Sequence, residues 1–215
     1  MTKPILSVAI CMYNSCENVA RTLQKLADQE QDGLEVIVLD DGSTESVHEV
    51  KTLCDKYHFR YLWQANQGEA GARQKVLDEA KGEFFTWVDA DDSITDDYVE
   101  TILSELKPRD GYAAMPDIIF HKWLFIDGTM ATDHEKPLTN WNVWSNVYRR
   151  EAVKDVKFDL NRQIASDYFW LEEAYKRCGI SYYSDKAVNI YNDKNPDSLT
   201  HRFERGEVKA LFSEE

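Results

Sequence analysis

Asp89, Ala90, Asp91 and Asp92 put three carboxylates into four residues, directly behind the apolar run Phe84-Phe85-Thr86-Trp87-Val88, and no Lys or Arg occurs between positions 84 and 97. Carboxylates crowded in this way repel one another unless a cation, hydrogen bonds or protonation compensates. A hard divalent ion such as Mg2+ or Mn2+ meets them with the oxygen ligands it prefers. Two other readings attach to the same residues. Asp92 or Ser93 would serve as the cap of a helix starting near Thr95, because short polar side chains favour caps and turns. Asp89, Asp91, Ser93, Asp97 and Glu100 also follow the oxygen spacing of a calcium loop, but Ile94 stands where that loop needs glycine, and a strand rather than a helix precedes it. Two further polar groups follow apolar runs earlier in the chain: Tyr13-Asn14 and Asp40-Asp41-Gly42-Ser43.

The elements that must position these residues can be read from periodicity. Ile5 to Met12 and Leu34 to Leu39 are short apolar runs suited to buried strands, and Val19, Leu23, Leu26 and Ala27 between them have helical spacing. The cycle repeats with a helix over Val47 to Tyr57, a strand over Phe59 to Trp63, a helix from Gly71 to Ala80 closed by Gly82, and a strand over Phe84 to Val88. Such alternation predicts an α/β fold with a mostly parallel central sheet flanked by helices, whose ligands sit beyond the carboxyl ends of the strands. The three polar groups are therefore expected on one rim. From about Lys107 to Asn140 the periodicity weakens, Pro108, Pro116 and Pro137 interrupt it, and only Asp117 to Ile126 reads as a strand. A helix from Ser166 or Asp167 to Cys178-Gly179, a strand around Ser181 to Ser184 and a polar tail follow.

The chain has 215 residues, of which 43% are hydrophobic, so it can bury one sizeable core; the expectation is a single domain over 1–215, with 1–106 and 107–215 as its two halves. A formal charge of −14 opposes a broad basic surface for nucleic acid or anionic membrane. Cys11, Cys16, Cys54 and Cys178 form no C-x-x-C pair, which fits reduced thiols and a cytoplasmic setting, extending to the inner face of a membrane. No apolar run reaches 18 residues, and no secretory leader pattern is seen, so no transmembrane segment is expected. The oligomeric state is not legible.

Four segments, SVAICMYNSCENVARTL, EVIVLDDGSTES, NQGEAGARQKVLDEAKGEFFTWVDADD and WNVWSNVYRREAV, occur in an order and spacing that resemble the family 2 glycosyltransferases of GT-A fold, over nearly the whole chain. The resemblance implies a nucleoside-diphosphate sugar as donor, usually a UDP-sugar, Mn2+ or Mg2+ as cofactor, a glycan or other hydroxyl-bearing acceptor, and inversion at the anomeric carbon. It places 1–106 on the nucleotide-sugar side and 107–215 on the acceptor side.

By that resemblance, Tyr13 lies beside the nucleobase, Asp41 accepts from the uracil N–H and Asp40 shapes the turn. Arg73 approaches base and pyrophosphate, and Cys11, Asn14, Glu17 and Ala90 line the donor site. Asp89 reaches ribose or metal and Asp91 the metal, with Asp92 in support and near the acceptor. Asp167 matches the base that takes the acceptor's proton. The family commonly has Glu-Asp there, whereas Ser166 precedes Asp167 in this chain. Ser166 as N-cap with Asp167 in the first helical turn is the plain structural alternative. Trp144, Tyr148 and Arg149 correspond to an acceptor-side segment, although the core also suits Trp141 and Trp144. His201 and Arg202 belong to a late loop resembling one that closes over the donor, which makes His201 a candidate metal ligand. The rival function is a catalytically idle nucleotide-sugar-binding or regulatory module of the same fold. A nucleotidyltransferase would need a basic glycine-rich loop after the first strand, and Cys11 to Glu17 has neither Gly nor Lys.

Overall fold

A computed structural model describes residues 3–29, 31–108, 114–131, 142–162 and 165–207, except for the side chains of 199, 200 and 203. The first half runs β1 (Leu6–Met12), α1 (Cys16–Asp28), β2 (Leu34–Asp40), α2 (His48–Tyr57), β3 (Arg60–Trp63), α3 (Gly68–Glu79), β4 (Phe84–Asp89), β5 (Ser93–Ile94) and α4 (Tyr98–Glu105). The second half runs β6 (Ile118–Phe125), β7 (Asn146–Arg149), α5 (Arg150–Val153), α6 (Ser166–Arg177), β8 (Ser181–Tyr191) and α7 (Leu199–Glu204). The strands form one eight-stranded sheet in the order β3-β2-β1-β4-β7-β6-β8-β5. Strands β3, β2, β1 and β4 are parallel, β7 enters antiparallel between β4 and β6, and β8 lies parallel to β6.

Period-2 alternation sorts each central strand between two cores. Leu6, Val8, Ile10 and Met12 of β1, with Val36 and Val38 of β2, face one apolar cluster together with Val19 and Leu23 of α1. Ala9, Ile37, Leu39, Phe85 and Trp87 face the other, against Val76 and Leu77 of α3 and Trp170 and Leu171 of α6. Asp89 follows Trp87 by two residues and Cys11 follows Ala9 by two, so both fall on the side of α3 and α6.

The periodicity finds β1, β2, β3, β4, α1 and α2 nearly in place and errs elsewhere for local reasons. Helix α3 begins at Gly68 rather than Gly71, since Asp41 accepts from the amides of Gln67 at 2.9 Å and Gly68 at 2.9 Å and so holds the first turn from another element. Helix α4 begins at Tyr98 rather than near Thr95, because Ser93–Ile94 pairs with Asn189 and Ile190 of β8. The polar strand β8 is far longer than expected, and β7 was not anticipated as a strand. Pro137 and Asn140 of the irregular segment lie outside the described residues, as does Trp141.

Among the described residues no helix is long and apolar enough to cross a membrane. The four cysteines are unpaired.

Candidate active site

The carboxyl ends of β1, β2 and β4 lie side by side, with Met12 opposite Asp40 and Cys11 opposite Asp89 in register. Tyr13-Asn14, the Asp40-to-Ser43 turn and the Asp89-to-Asp92 segment thus share a rim, as the strand pattern predicts. At its centre is Arg73 of α3, whose side chain is 2% exposed. Its Nη2 donates to Asp89 Oδ1 at 2.7 Å and lies 2.9 Å from Glu69 Oε1, while Nη1 donates to Asp167 Oδ1. One guanidinium therefore joins three carboxylates from α3, β4 and α6. Burying a guanidinium costs several kcal/mol, which only such pairing and hydrogen bonding can offset. Burial works against its charge, but Glu69 and Asp89 outweigh that and hold Arg73 above its ordinary value.

Aromatic packing brings Asp167 there. Trp170, one turn further along α6, meets Trp87 edge-on at 5.2 Å, Tyr148 edge-on at 5.0 Å and Phe158 in a stack at 5.2 Å. Each such pair contributes about 0.5–1.5 kcal/mol beyond area burial and fixes the helix over the sheet. Ser166 does not cap α6. The N-cap is Ala165, at φ +60°, and Ser166 is the first helical residue, buried at 3% exposure. Asp167 sits in the first turn, where a carboxylate suits the helix dipole.

The acidic segment is held by the tail. Asn195 Nδ2 donates to Asp91 Oδ2 at 2.7 Å, and the Asn192 amide donates to Asp92 Oδ1 at 2.8 Å. His201 Nδ1 lies 2.7 Å from the Asn195 carbonyl, which only accepts, so Nδ1 carries a proton and Nε2 is the ring nitrogen left for another partner. Burial, and then the Asp89 charge, raises Asp91 and pushes the carboxyl of Asp92 up to about 9. Asp92 Oδ2 is buried with no hydrogen-bond partner. Neither Asn192 nor Asn195 was singled out from the sequence, and nor was Glu69; each acts by a backbone placement or a helical phase that no local motif announces.

These observations test the fit of a hard divalent ion. An oxygen-only donor set, carboxyls raised by burial and then by the Asp89 charge, and an orphaned carboxylate oxygen all suit Mn2+ or Mg2+, which commonly takes one or two protein carboxylates and completes its shell with phosphate oxygens and water. Among the described residues no three His, Cys, Asp or Glu side chains close on one point as a preformed cage. The donor set thus fits such an ion without enclosing it.

The other rim residues divide. Asp40 accepts from the Ser43 amide at 2.8 Å and from the Tyr61 hydroxyl, and so shapes the turn. Gly42 has φ +76°, and a Cβ there would come within 2.8 Å of the Asn66 amide nitrogen, so glycine is required. Asn14, at φ +51°, ties the β1 and β2 loops together by accepting from the Thr44 amide at 2.8 Å and the Glu45 amide at 3.2 Å. Tyr13 is 48% exposed beside them. Ala90, between Asp89 and Asp91, is half-buried. Burial raises the Cys11 thiol despite the pull of Arg73, leaving it neutral. Asp41 is 4% exposed and already accepts from Gln64 Nε2 at 2.7 Å as well as the two helix amides. A uracil N–H would have to share it with that turn.

Three expectations need correction. Glu17 is not brought to the cluster: its side chain is 81% exposed and pairs with Arg21 along α1. Tyr148 is fully buried, stacked on Phe85 at 5.3 Å, with its hydroxyl taking the Asn146 amide at 3.1 Å, so it supports α6 rather than facing an acceptor. Arg149 binds Asp117 through Nε at 2.8 Å and joins strands instead. Trp144 is 6% exposed and stacks on Tyr191 at 5.5 Å. Tyr191 directly precedes Asn192, whose amide holds Asp92, but Trp144 itself has little free face.

Comparison with known proteins now bears on this geometry. The E. coli K12 protein YibD, an uncharacterized glycosyltransferase, is 37% identical over 226 residues, covering 92% of this chain and 64% of that protein. The putative glycosyltransferase EpsH of Bacillus subtilis is 32% identical over 105 residues, covering 48% of this chain and 30% of its own length. The chain thus spans between about a third and two-thirds of these relatives. The TarS structure of S. aureus solved with UDP-GlcNAc superposes with a TM-score of 0.78 at 22% identity, covering 91% of this chain and 60% of that one. A mannosyltransferase of Pyrobaculum calidifontis, solved with GDP-Man and Mn2+, gives a TM-score of 0.69 at 15% identity, over 96% of this chain and 62% of that one. These likenesses establish the GT-A fold. The sequence model for glycosyl transferase family 2 matches residues 7–173, from β1 through the Asp167 turn of α6, and the chain belongs to that family.

Proposed function

We propose that this chain is a metal-dependent inverting glycosyltransferase that moves one sugar from a nucleoside-diphosphate sugar, a UDP-sugar, to an acceptor hydroxyl. The observation that carries the reading is the shared guanidinium: Arg73 joins Asp89, at the end of β4, to Asp167, at the start of α6, so donor-side and acceptor-side carboxylates meet in one place. TarS solved with UDP-GlcNAc, and a mycobacterial glucosyl-3-phosphoglycerate synthase solved with UDP and Mn2+, support the donor class and the ion.

In this reading the base rests by exposed Tyr13 above the β1 and β2 turns, and Asp89 and Asp91 would hold Mn2+ or Mg2+ with the diphosphate. The ion supplies charge neutralisation for the departing nucleoside diphosphate, so no protein acid is required on that side. Arg73 holds Asp167 oriented on the opposite side of the sugar. The acceptor oxygen forms its bond to the anomeric carbon as the bond to the phosphate oxygen breaks. Asp167 takes the acceptor's proton through whichever carboxylate oxygen faces it, a general-base role worth about 10²–10⁴-fold. His201 faces the same segment through Asn195 and is a candidate to meet the ion through Nε2.

Asp167→Asn tests the reading. Asn is nearly isosteric and tolerated in a first helical turn, yet cannot accept the proton, so release of sugar from the donor should fall by about 10²-fold or more while UDP binding by calorimetry persists. Unchanged turnover in this variant would remove Asp167 from the mechanism. Donor binding by the wild type without any release of UDP would favour the idle binding module, the reading that Ser166 in place of the family's usual Glu suggests.

A further inference from the structure

We infer that Glu69 is a positioning residue of this site, acting through Arg73 on Asp167; the inference rests on the proposed role of Asp167 for its catalytic part and on geometry alone for its coupling. Glu69 lies one turn before Arg73 on α3, and its Oε1 is 2.9 Å from the same Nη2 that donates to Asp89 at 2.7 Å. That double engagement anchors one edge of the guanidinium. Because the fork is planar and rigid, fixing Nη2 also fixes where Nη1 points, which is at Asp167. Among the described residues Arg73 is the one basic side chain paired with either Asp89 or Asp167, so the orientation of both depends on it.

Without Glu69, the Nη2 edge of the fork would rest on Asp89 alone. Asp89 is also the carboxylate expected to turn toward a diphosphate-bound ion, and a donor would then draw it away from Arg73. Glu69 stands on the same helix as Arg73, in a first turn where a carboxylate suits the dipole, and its placement does not depend on the state of the acidic segment. Its side chain is 39% exposed whereas that of Arg73 is 2% exposed, so Glu69 adds the ion-pair constraint from the solvent side of the cleft; burial against the site, despite the pull of Arg73, raises its carboxyl above the usual value. The charge count supports the arrangement. Three carboxylates around one cation leave the cluster at a formal −2, and Asp91 beside it makes −3, an excess that a divalent ion held by Asp89 and Asp91 would lower to −1; Glu69 is the partner that stays on Arg73 when the ion takes Asp89.

The experiment compares wild type, Glu69→Gln, Glu69→Ala, Asp167→Asn and the double variant Glu69→Gln/Asp167→Asn, by thermal unfolding and by donor hydrolysis. Coupling is read first, without activity: the Tm shifts of the Glu69→Gln and Asp167→Asn variants should fail to add in the double variant, since both work through one guanidinium. In hydrolysis, Glu69→Ala should lower kcat about 10-fold with donor KM within about twofold of wild type. Glu69→Gln, which still offers an oxygen to Nη2, should recover part of that loss, and in the Asp167→Asn background it should cost nothing further. Additive Tm shifts would overturn the inference, as would tighter UDP binding by Glu69→Ala, which would make Glu69 a placeholder for phosphate instead. Loss of kcat in Asp167→Asn with none in Glu69→Ala would overturn it while leaving the role of Asp167 intact. Non-additive Tm shifts in a protein that does not turn over the donor would sustain the coupling and refute the catalytic reading of Asp167.

Discussion

Arg73 works because of its shape as much as its charge. A guanidinium presents two edges and can hold Asp89 and Asp167 at once, whereas a lysine ammonium is a single point with a hydration shell that burial would strip. Arg73→Lys should therefore leave the circular dichroism spectrum unchanged, lower kcat for donor hydrolysis by about 10²-fold and reduce Tm, because one or two of the three carboxylates lose their partner at a site whose cation is 2% exposed. Retention of full turnover by the lysine variant would show that charge alone suffices. Ala165 is a second single-residue feature. An L-residue at φ +60° carries strain of about 1 kcal/mol, and here it sits immediately before the turn that presents Asp167. Ala165→Gly should raise stability by up to about 1 kcal/mol in denaturant titration, and if the strain helps fix Asp167, kcat should fall at the same time.

Among the elements, two carboxylates act as latches where strands meet. Asp117 at the head of β6 accepts from Arg149 of β7 at 2.8 Å and from the amides of Gly179 at 2.8 Å and Ile180 at 3.1 Å, just before β8. Glu35 of β2 accepts from Ser7 of β1 at 2.6 Å, from Arg60 of β3 at 2.7 Å and from the Lys81 amide at 2.8 Å beyond α3. Burial alone would raise both groups, but for Asp117 the Arg149 guanidinium and two amides, and for Glu35 the Ser7 hydroxyl, Lys81 amide and Arg60, outweigh it and hold each carboxyl below its usual value. A depressed carboxylate stabilises the fold above its unfolded pKa, and that contribution is lost as pH falls through the lower folded value. The contribution of Glu35 and Asp117 should thus be level near pH 7 and be lost below about pH 4, near the unfolded carboxylate values. Asp117→Asn should cost about 2 kcal/mol at pH 7, the scale of hydrogen bonds to a charged group, and lose less than the wild type on acidification. A variant with an unchanged acid limb would exclude Asp117 from that decline.

On the scale of the whole molecule, the formal charge of −14 must be reconciled with the polyanionic donor proposed above. Repulsion from the body of the protein opposes a diphosphate, so binding should depend on a cation at the acidic rim. Adding UDP with Mn2+ should raise Tm, by the equivalent of about 2.7 kcal/mol when UDP stands at 100 times its Kd, whereas UDP with EDTA should leave Tm unmoved. Asp91→Asn should abolish most of the metal-dependent shift without altering the unliganded spectrum. An equal shift with and without EDTA would refute the metal assignment.

The sequence by itself determined the elements whose burial is dictated by their own side chains. β1, β2 and β4 are apolar on both faces because helices cover both, and such runs are visible without any partner. Their polar ends were legible for the same reason, since Asp40 closes the run Val36 to Leu39 and Asp89 opens a cluster of carboxylates straight after Trp87-Val88. Asp167 was reached through family resemblance, not through its local pattern, which is that of any acidic first turn. The tertiary structure alone decided where the remaining polar atoms go. Asp41 starts a helix 27 positions away, Asn195 reaches Asp91 across 104 residues, and Glu69 becomes a partner of Asp89 only because Arg73 is folded between them. Tyr148 belongs to the core for a similar reason, because its ring completes the aromatic floor under α6. Apolar periodicity is a local property of the chain, but hydrogen bonds and ion pairs join atoms that only the sheet order β3-β2-β1-β4-β7-β6-β8-β5 brings within reach.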